Sequence, residues 1–126
     1  TDPKKHDPAL LDLLRQHSFD IQATARVVAC DRSTVMQRFK GLCFQALVEH
    51  QGDRHAAAAA LAGEPGLTRL VETKVTDYAE HLQELARSYP TVDEALVGCR
   101  RRLKNLPERY VGAVESLVRR CFPMMP

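Results

Sequence analysis

The side chains with the chemistry to bind a partner gather between positions 32 and 40: Arg32, Ser33, Thr34, Gln37, Arg38 and Lys40. In the same stretch Val35, Phe39 and Leu42 recur at the i, i+4, i+7 spacing of a buried helical face. The polar and cationic residues are thereby left on the other faces. A short helix divided in this way suits the major groove of a duplex, where such side chains reach phosphates and base edges. The competing reading is an ordinary solvated helix face, and what decides between the two is the segment that must hold this helix in place.

That segment is Phe19 to Asp31. Asp20 is placed to cap a helix from Ile21 to Ala29, its carboxylate accepting first-turn amides at the positive end of the helix dipole. Ala25, Val28 and Ala29 form a stripe of small apolar residues, and small residues let a second helix cross closely at a steep angle. With the turn at Cys30 and Asp31, the pattern is two short helices joined tightly, a helix-turn-helix. Upstream, Asp7 followed by Pro8 reads as a cap with proline in the first turn. Leu10, Leu11, Leu13 and Leu14 then make a strongly apolar supporting helix to about His17. Phe19, just ahead of the Asp20 cap, is placed to act as a hydrophobic staple.

The motif is echoed. Setting Leu11–Cys30 beside Phe44–Gly63, an offset of 33, gives identities at Leu14/Leu47, His17/His50, Asp20/Asp53, Ala23/Ala56, Ala25/Ala58 and Ala29/Ala62. The matched Asp would cap a second helix, with Arg54 and His55 at its start. This second copy departs from the first where it would meet a duplex. In place of Asp31-Arg-Ser-Thr-Val-Met-Gln-Arg38 it has Glu64-Pro-Gly-Leu-Thr-Arg-Leu-Val71, and the helix expected from Thr68 to about Ser88 is net acidic. Acidic charge repels phosphate. Its apolar residues Leu67, Leu70, Val71, Val75, Tyr78, Leu82 and Leu85 instead trace a packing stripe. Gly41 weakens a helix by about 1 kcal/mol relative to alanine without forbidding it, so the reader helix can run on into the second copy.

Beyond Tyr89 and Pro90, Thr91-Val-Asp-Glu94 is a capping box opening a helix to about Asn105. A last helix opens at Pro107 and Glu108, and Phe122-Pro-Met-Met-Pro126 is a natural stop. Arg100, Arg101, Arg102 and Lys104 make a dense basic cluster. It reads equally as charge stabilisation of a helix C-terminus or as an auxiliary phosphate patch.

The chain has 126 residues and a net charge of only +2, so charge distribution matters more than total. Residues 1–63 hold eight Lys/Arg against seven Asp/Glu, residues 64–90 three against five, and residues 91–126 seven against four. No β-branched alternation occurs, and helix is the expected dominant element. Cys30, Cys43, Cys99 and Cys121 lack C-x-x-C pairing and zinc spacing to histidine, and read as small buried apolar residues of a reducing cytosol. No apolar run reaches membrane-spanning length. Nucleophile elbows, phosphate loops, H-E-x-x-H and paired-carboxylate motifs are absent, so neither enzyme activity nor a metal or cofactor is implied.

The pattern from Leu11 to Leu42, with Ala23-Thr-Ala25 in one helix and Arg32-Ser-Thr-Val-Met-Gln-Arg-Phe-Lys40 in the next, resembles the Fis-type helix-turn-helix. That domain closes many NtrC-type activators of sigma-54 RNA polymerase. The resemblance implies an all-α helical bundle that binds double-stranded DNA as a homodimer in the bacterial cytoplasm, associated with the nucleoid, behind an upstream AAA+ ATPase domain of the same protein. It implies base contact by Arg32, phosphate contact by Thr34, backbone contacts by Arg38 and Lys40, and Gln37 toward the groove floor; Ser33 is a candidate from the residue pattern alone. Arg54, His55, Arg100, Arg101, Arg102 and Lys104 are auxiliary candidates. The organisation expected is a linker end at 1–6, the helix-turn-helix region at 7–63 with a degenerate second copy from 43, and a packing or dimerisation region at 64–126. The alternative from a different class is a helical interaction or oligomerisation module whose helix-turn-helix is purely architectural.

Overall fold

The computed structural model describes residues 3–122, with side chains from residue 9 onward. Among the described residues the chain is all-α: α1 Pro3–Gln16, α2 Ile21–Val28, α3 Arg32–Glu49, α4 Arg54–Ala62, α5 Pro65–Arg87, α6 Val92–Arg102, a 3-10 turn at Glu108–Tyr110, and α7 Val111–Arg120. No strand occurs among them.

The offset-33 echo is a structural repeat. Phe19 N–H donates to Leu14 O at 2.7 Å, and Gly52 N–H donates to Leu47 O at 2.7 Å. Asp20 N–H to His17 O and Asp53 N–H to His50 O are both 3.0 Å. The first pair are six-to-one closures and the second pair tighter four-residue turns; with Ser18 at φ 53° and Gln51 at φ 52°, they are the same left-handed turn made twice. Each aspartate then caps the next helix as expected, accepting from Ala23 N–H at 3.1 Å and from Ala56 N–H at 3.0 Å. Because the repeat begins inside α3, this 18-residue helix is the last helix of one copy and the first of the next.

That double duty makes α3 the centre of the molecule. Its first half buries Val35 and Phe39 on one side, and its second half buries Gly41, Cys43, Phe44, Ala46 and Leu47 around most of its circumference. A helix apolar all round must be surrounded, and α3 packs against α1, α2, α4, α5 and α7. Phe39, Phe44 and Leu47 are at most 2% exposed, and each contributes about 1.5–3 kcal/mol by leaving water. Aromatic rings tie the elements together. Phe19 lies 5.6 Å from Phe39, and Tyr78 of α5 meets Phe39 at 6.1 Å and Phe44 at 6.4 Å, both edge-on. Residues beyond Gly63 thus complete the core around α3, and one contiguous cluster runs from Leu10 to Val118.

Two details differ from the sequence expectation. α1 begins at Pro3, so Asp7 and Pro8 lie inside the helix, and the cap expected of the Asp7 side chain falls outside the described side chains. α5 begins at Pro65, three residues ahead of Thr68, because proline is tolerated in a first turn where its missing N–H is not needed. The Thr91 cap is as expected, its hydroxyl accepting from Glu94 N–H at 3.2 Å. Residues 123–126 of the expected stop lie outside the described residues.

Candidate nucleic-acid interface

α2 ends at Ala29, which takes the left-handed conformation at φ 56° and donates its N–H to Ala25 O. Cys30 N–H reaches the same carbonyl at 3.1 Å. This hooked exit turns the chain within Ala29, Cys30 and Asp31, and it sets α3 across α2. Thr24, fully buried between the helices, satisfies its hydroxyl internally by donating to Asp20 O at 2.9 Å. The unit is therefore internally braced before any contact with α3 is counted.

Successive residues of a helix advance by about 100°. Opposite the buried Val35–Phe39 stripe this brings Ser33, Thr34 and Gln37 to the outer face, with Arg38 to one side and Lys40 to the other. Arg32 and Ser33 are exposed, while Thr34, Gln37 and Arg38 are half-buried. The Asp31 side chain makes no cap bond, so the first-turn amides of α3 are not closed by a carboxylate. The outer face is short. One turn beyond Arg38 the ring of Tyr110 packs closely against Gly41, and Tyr78 meets Phe44 edge-on.

Lys40 belongs to that covered end. It is half-buried, its ammonium 5.5 Å from the centre of the Tyr78 ring, and burial lowers its pKa from the ordinary lysine value. Burial also pushes the Tyr78 phenol up to about 12, with Cys43 and Asp77 adding to the effect. Lys40 thus faces a groove of about 470 Å³ between α3, α5 and the end of α6, and Arg102 stands on the same groove. Two basic residues far apart in sequence thus line one groove, and Arg32 is not among its lining residues.

The other auxiliary candidates divide. Arg54 pairs with Glu80 at 3.3 Å, and the His55 ring lies 2.5 Å from the Glu72 carboxylate, so α5 occupies both of the second copy's leading polar side chains. Arg100 reaches Glu115 of α7 at 4.0 Å and shares a small cleft with Lys104. Arg101 is exposed.

Two cations escaped the sequence reading. Arg26, exposed in the last turn of α2, adds positive charge beside the motif; its signal is a basic residue on the outward face of the supporting helix. Arg15 turns inward from α1 instead. Its guanidinium donates to Leu61 O at 2.9 Å and to Ala60 O at 3.1 Å, closing the C-terminus of α4. Nothing local in the sequence marks that contact, which spans 46 residues.

All four cysteines are free, with Cys43 and Cys99 buried, and burial raises the Cys43 thiol pKa. No helix among the described residues is long and apolar enough to cross a membrane. Comparison with known proteins returns no matching family model, no matching curated protein and no matching solved structure.

Proposed function

We propose that this chain is a sequence-reading DNA-binding domain of a bacterial transcriptional regulator of the sigma-54 activator type, with α3 as the reader. The observation that carries this is the α2–α3 pair: a left-handed turn at Ala29, a buried Val35–Phe39 stripe, and Arg32, Ser33, Thr34, Gln37 and Arg38 on the remaining faces of the first two turns of α3. Arg32 and Gln37 carry the fork and amide that read base edges, while Arg38, Thr34 and Arg26 serve phosphates. Lys40 stays outside the reader, because its ammonium is already drawn over Tyr78.

The domain acts by position. It anchors a larger regulator, with its AAA+ ATPase domain upstream, as a homodimer on two half-sites related by a two-fold axis, and it carries out no chemistry of its own. The second copy keeps the turn but lends Arg54 to Glu80 and His55 to Glu72. It thereby serves to fix α5 against the back of α3.

Fluorescence anisotropy with a labelled duplex tests the reading. Binding should weaken steeply as salt rises, by close to one unit of log–log slope per phosphate neutralised. Arg32→Glu and Arg38→Glu should each abolish it while leaving the circular dichroism and thermal midpoint unchanged. Undiminished binding in both variants would remove α3 as the reader. No binding by the parent chain at low salt would favour the interaction-module reading instead.

A further inference from the structure

We propose that the groove between α3, α5 and the end of α6 is a binding site for a small organic monoanion with an apolar body, an aryl- or alkyl-carboxylate, held between Lys40 and Arg102. Phe44, Tyr78, Leu82 and Leu103 give the groove an apolar lining, and its volume of about 470 Å³ lies within the range of small-molecule pockets.

The polar groups specify the charge. Lys40 is half-buried against Tyr78, and among the described residues no carboxylate forms an ion pair with it. Burial strips water from the ammonium, which lowers its pKa from the ordinary value and favours an anion beside it. Arg102 offers from the rim the planar fork that grips carboxylates in two-pronged fashion. Glu84 lines the same groove, so Lys40 and Arg102 stand against one carboxylate, with one cationic side chain in excess. That balance matches a monoanion. The Ser88 hydroxyl is already spent, donating to Leu85 O at 2.6 Å. A phosphodiester backbone would leave the apolar lining unused, so the groove is distinct in chemistry from the outer face of α3.

The test is a two-dimensional amide NMR titration of the DNA-free chain with 4-phenylbutyrate, with 4-phenylbutanol and inorganic phosphate in parallel. Phenylbutyrate should shift resonances around Lys40, Tyr78 and Leu103 and saturate at millimolar concentration or below. Lys40→Gln and Arg102→Gln should each weaken it about tenfold or more, as expected for the loss of a charge-assisted bond. Arg102 is exposed, so its variant keeps the fold even if Lys40→Gln does not, and the same spectra report folding. An absence of localised shifts would overturn the proposal, as would unchanged affinity in the Arg102 variant. Equal binding of phenylbutanol would remove anion recognition, and identical shifts with phosphate would remove the apolar component; either result overturns the site as described. Because no duplex is present, none of these outcomes depends on DNA binding.

Discussion

Gly41→Ala offers a sharp check on how α3 is held. On propensity alone, replacing a mid-helix glycine by alanine stabilises by about 1 kcal/mol. The surroundings reverse that sign. A methyl built on Gly41 would sit 2.0 Å from Tyr110 Cδ2 and 2.5 Å from both Cε2 and Cγ. Carbon atoms pack at about 3.5–4.0 Å, so the ring would have to retreat by roughly 1.5 Å. These are atoms near the root of a buried side chain, which cannot swing aside as a flexible tip would. Overpacking of this kind costs about 1–3 kcal/mol, and an overlap of this depth belongs at the upper end. The net expectation is destabilisation by about 2 kcal/mol, read as a lower urea midpoint at unchanged slope. Gly112→Ala in α7 is the control, since nothing lies within 4 Å of its added methyl, and it should gain up to about 1 kcal/mol. In a Tyr110→Ala background the clash disappears, and Gly41→Ala should become neutral or stabilising, a coupling that the double-mutant cycle measures. If Gly41→Ala raised the midpoint as Gly112→Ala does, Tyr110 would not be seated on α3, and the later helices would not brace α3 in this way.

Three further outcomes follow from the same structure. Ala29→Gly should stabilise by about 1 kcal/mol in urea melts, because glycine adopts the observed φ of 56° without the steric cost borne by alanine; a loss would mean the turn is not left-handed. Arg15→Ala should cost about 1–3 kcal/mol and speed amide hydrogen exchange in the last turn of α4, since the Ala60 and Leu61 carbonyls lose their donor; exchange unchanged there would refute the cap. A difference titration of phenolate absorbance between the parent chain and Tyr78→Phe should place Tyr78 near pH 12. Its raised value means that stability present below the ordinary tyrosine value is lost as pH climbs from about 10 toward 12. Titration of Tyr78 near pH 10 would mean that its ring is not buried beside Phe44.

What the sequence determined by itself was local. Asp20, Asp53 and Thr91 each accept an amide three residues on, so capping depends only on neighbours in the chain, and the helix starts were legible from residue type. The offset of 33 was legible for a related reason: the matched leucine, histidine and aspartate positions build one short-range turn, which forms wherever that pattern occurs. The outer face of Ser33, Thr34 and Gln37, flanked by Arg38, followed from helical period alone. The fate of the remaining cations did not. Arg54 meets a carboxylate 26 residues away, His55 one 17 residues away, Arg15 a carbonyl 46 residues away, and Lys40 the ring of Tyr78. Those partners are chosen by how α5 packs on a central helix that is apolar nearly all round, and such a helix has no single face from which its neighbours can be read. Only the tertiary structure could decide that Lys40 turns from the outer face of α3 into a groove shared with Arg102.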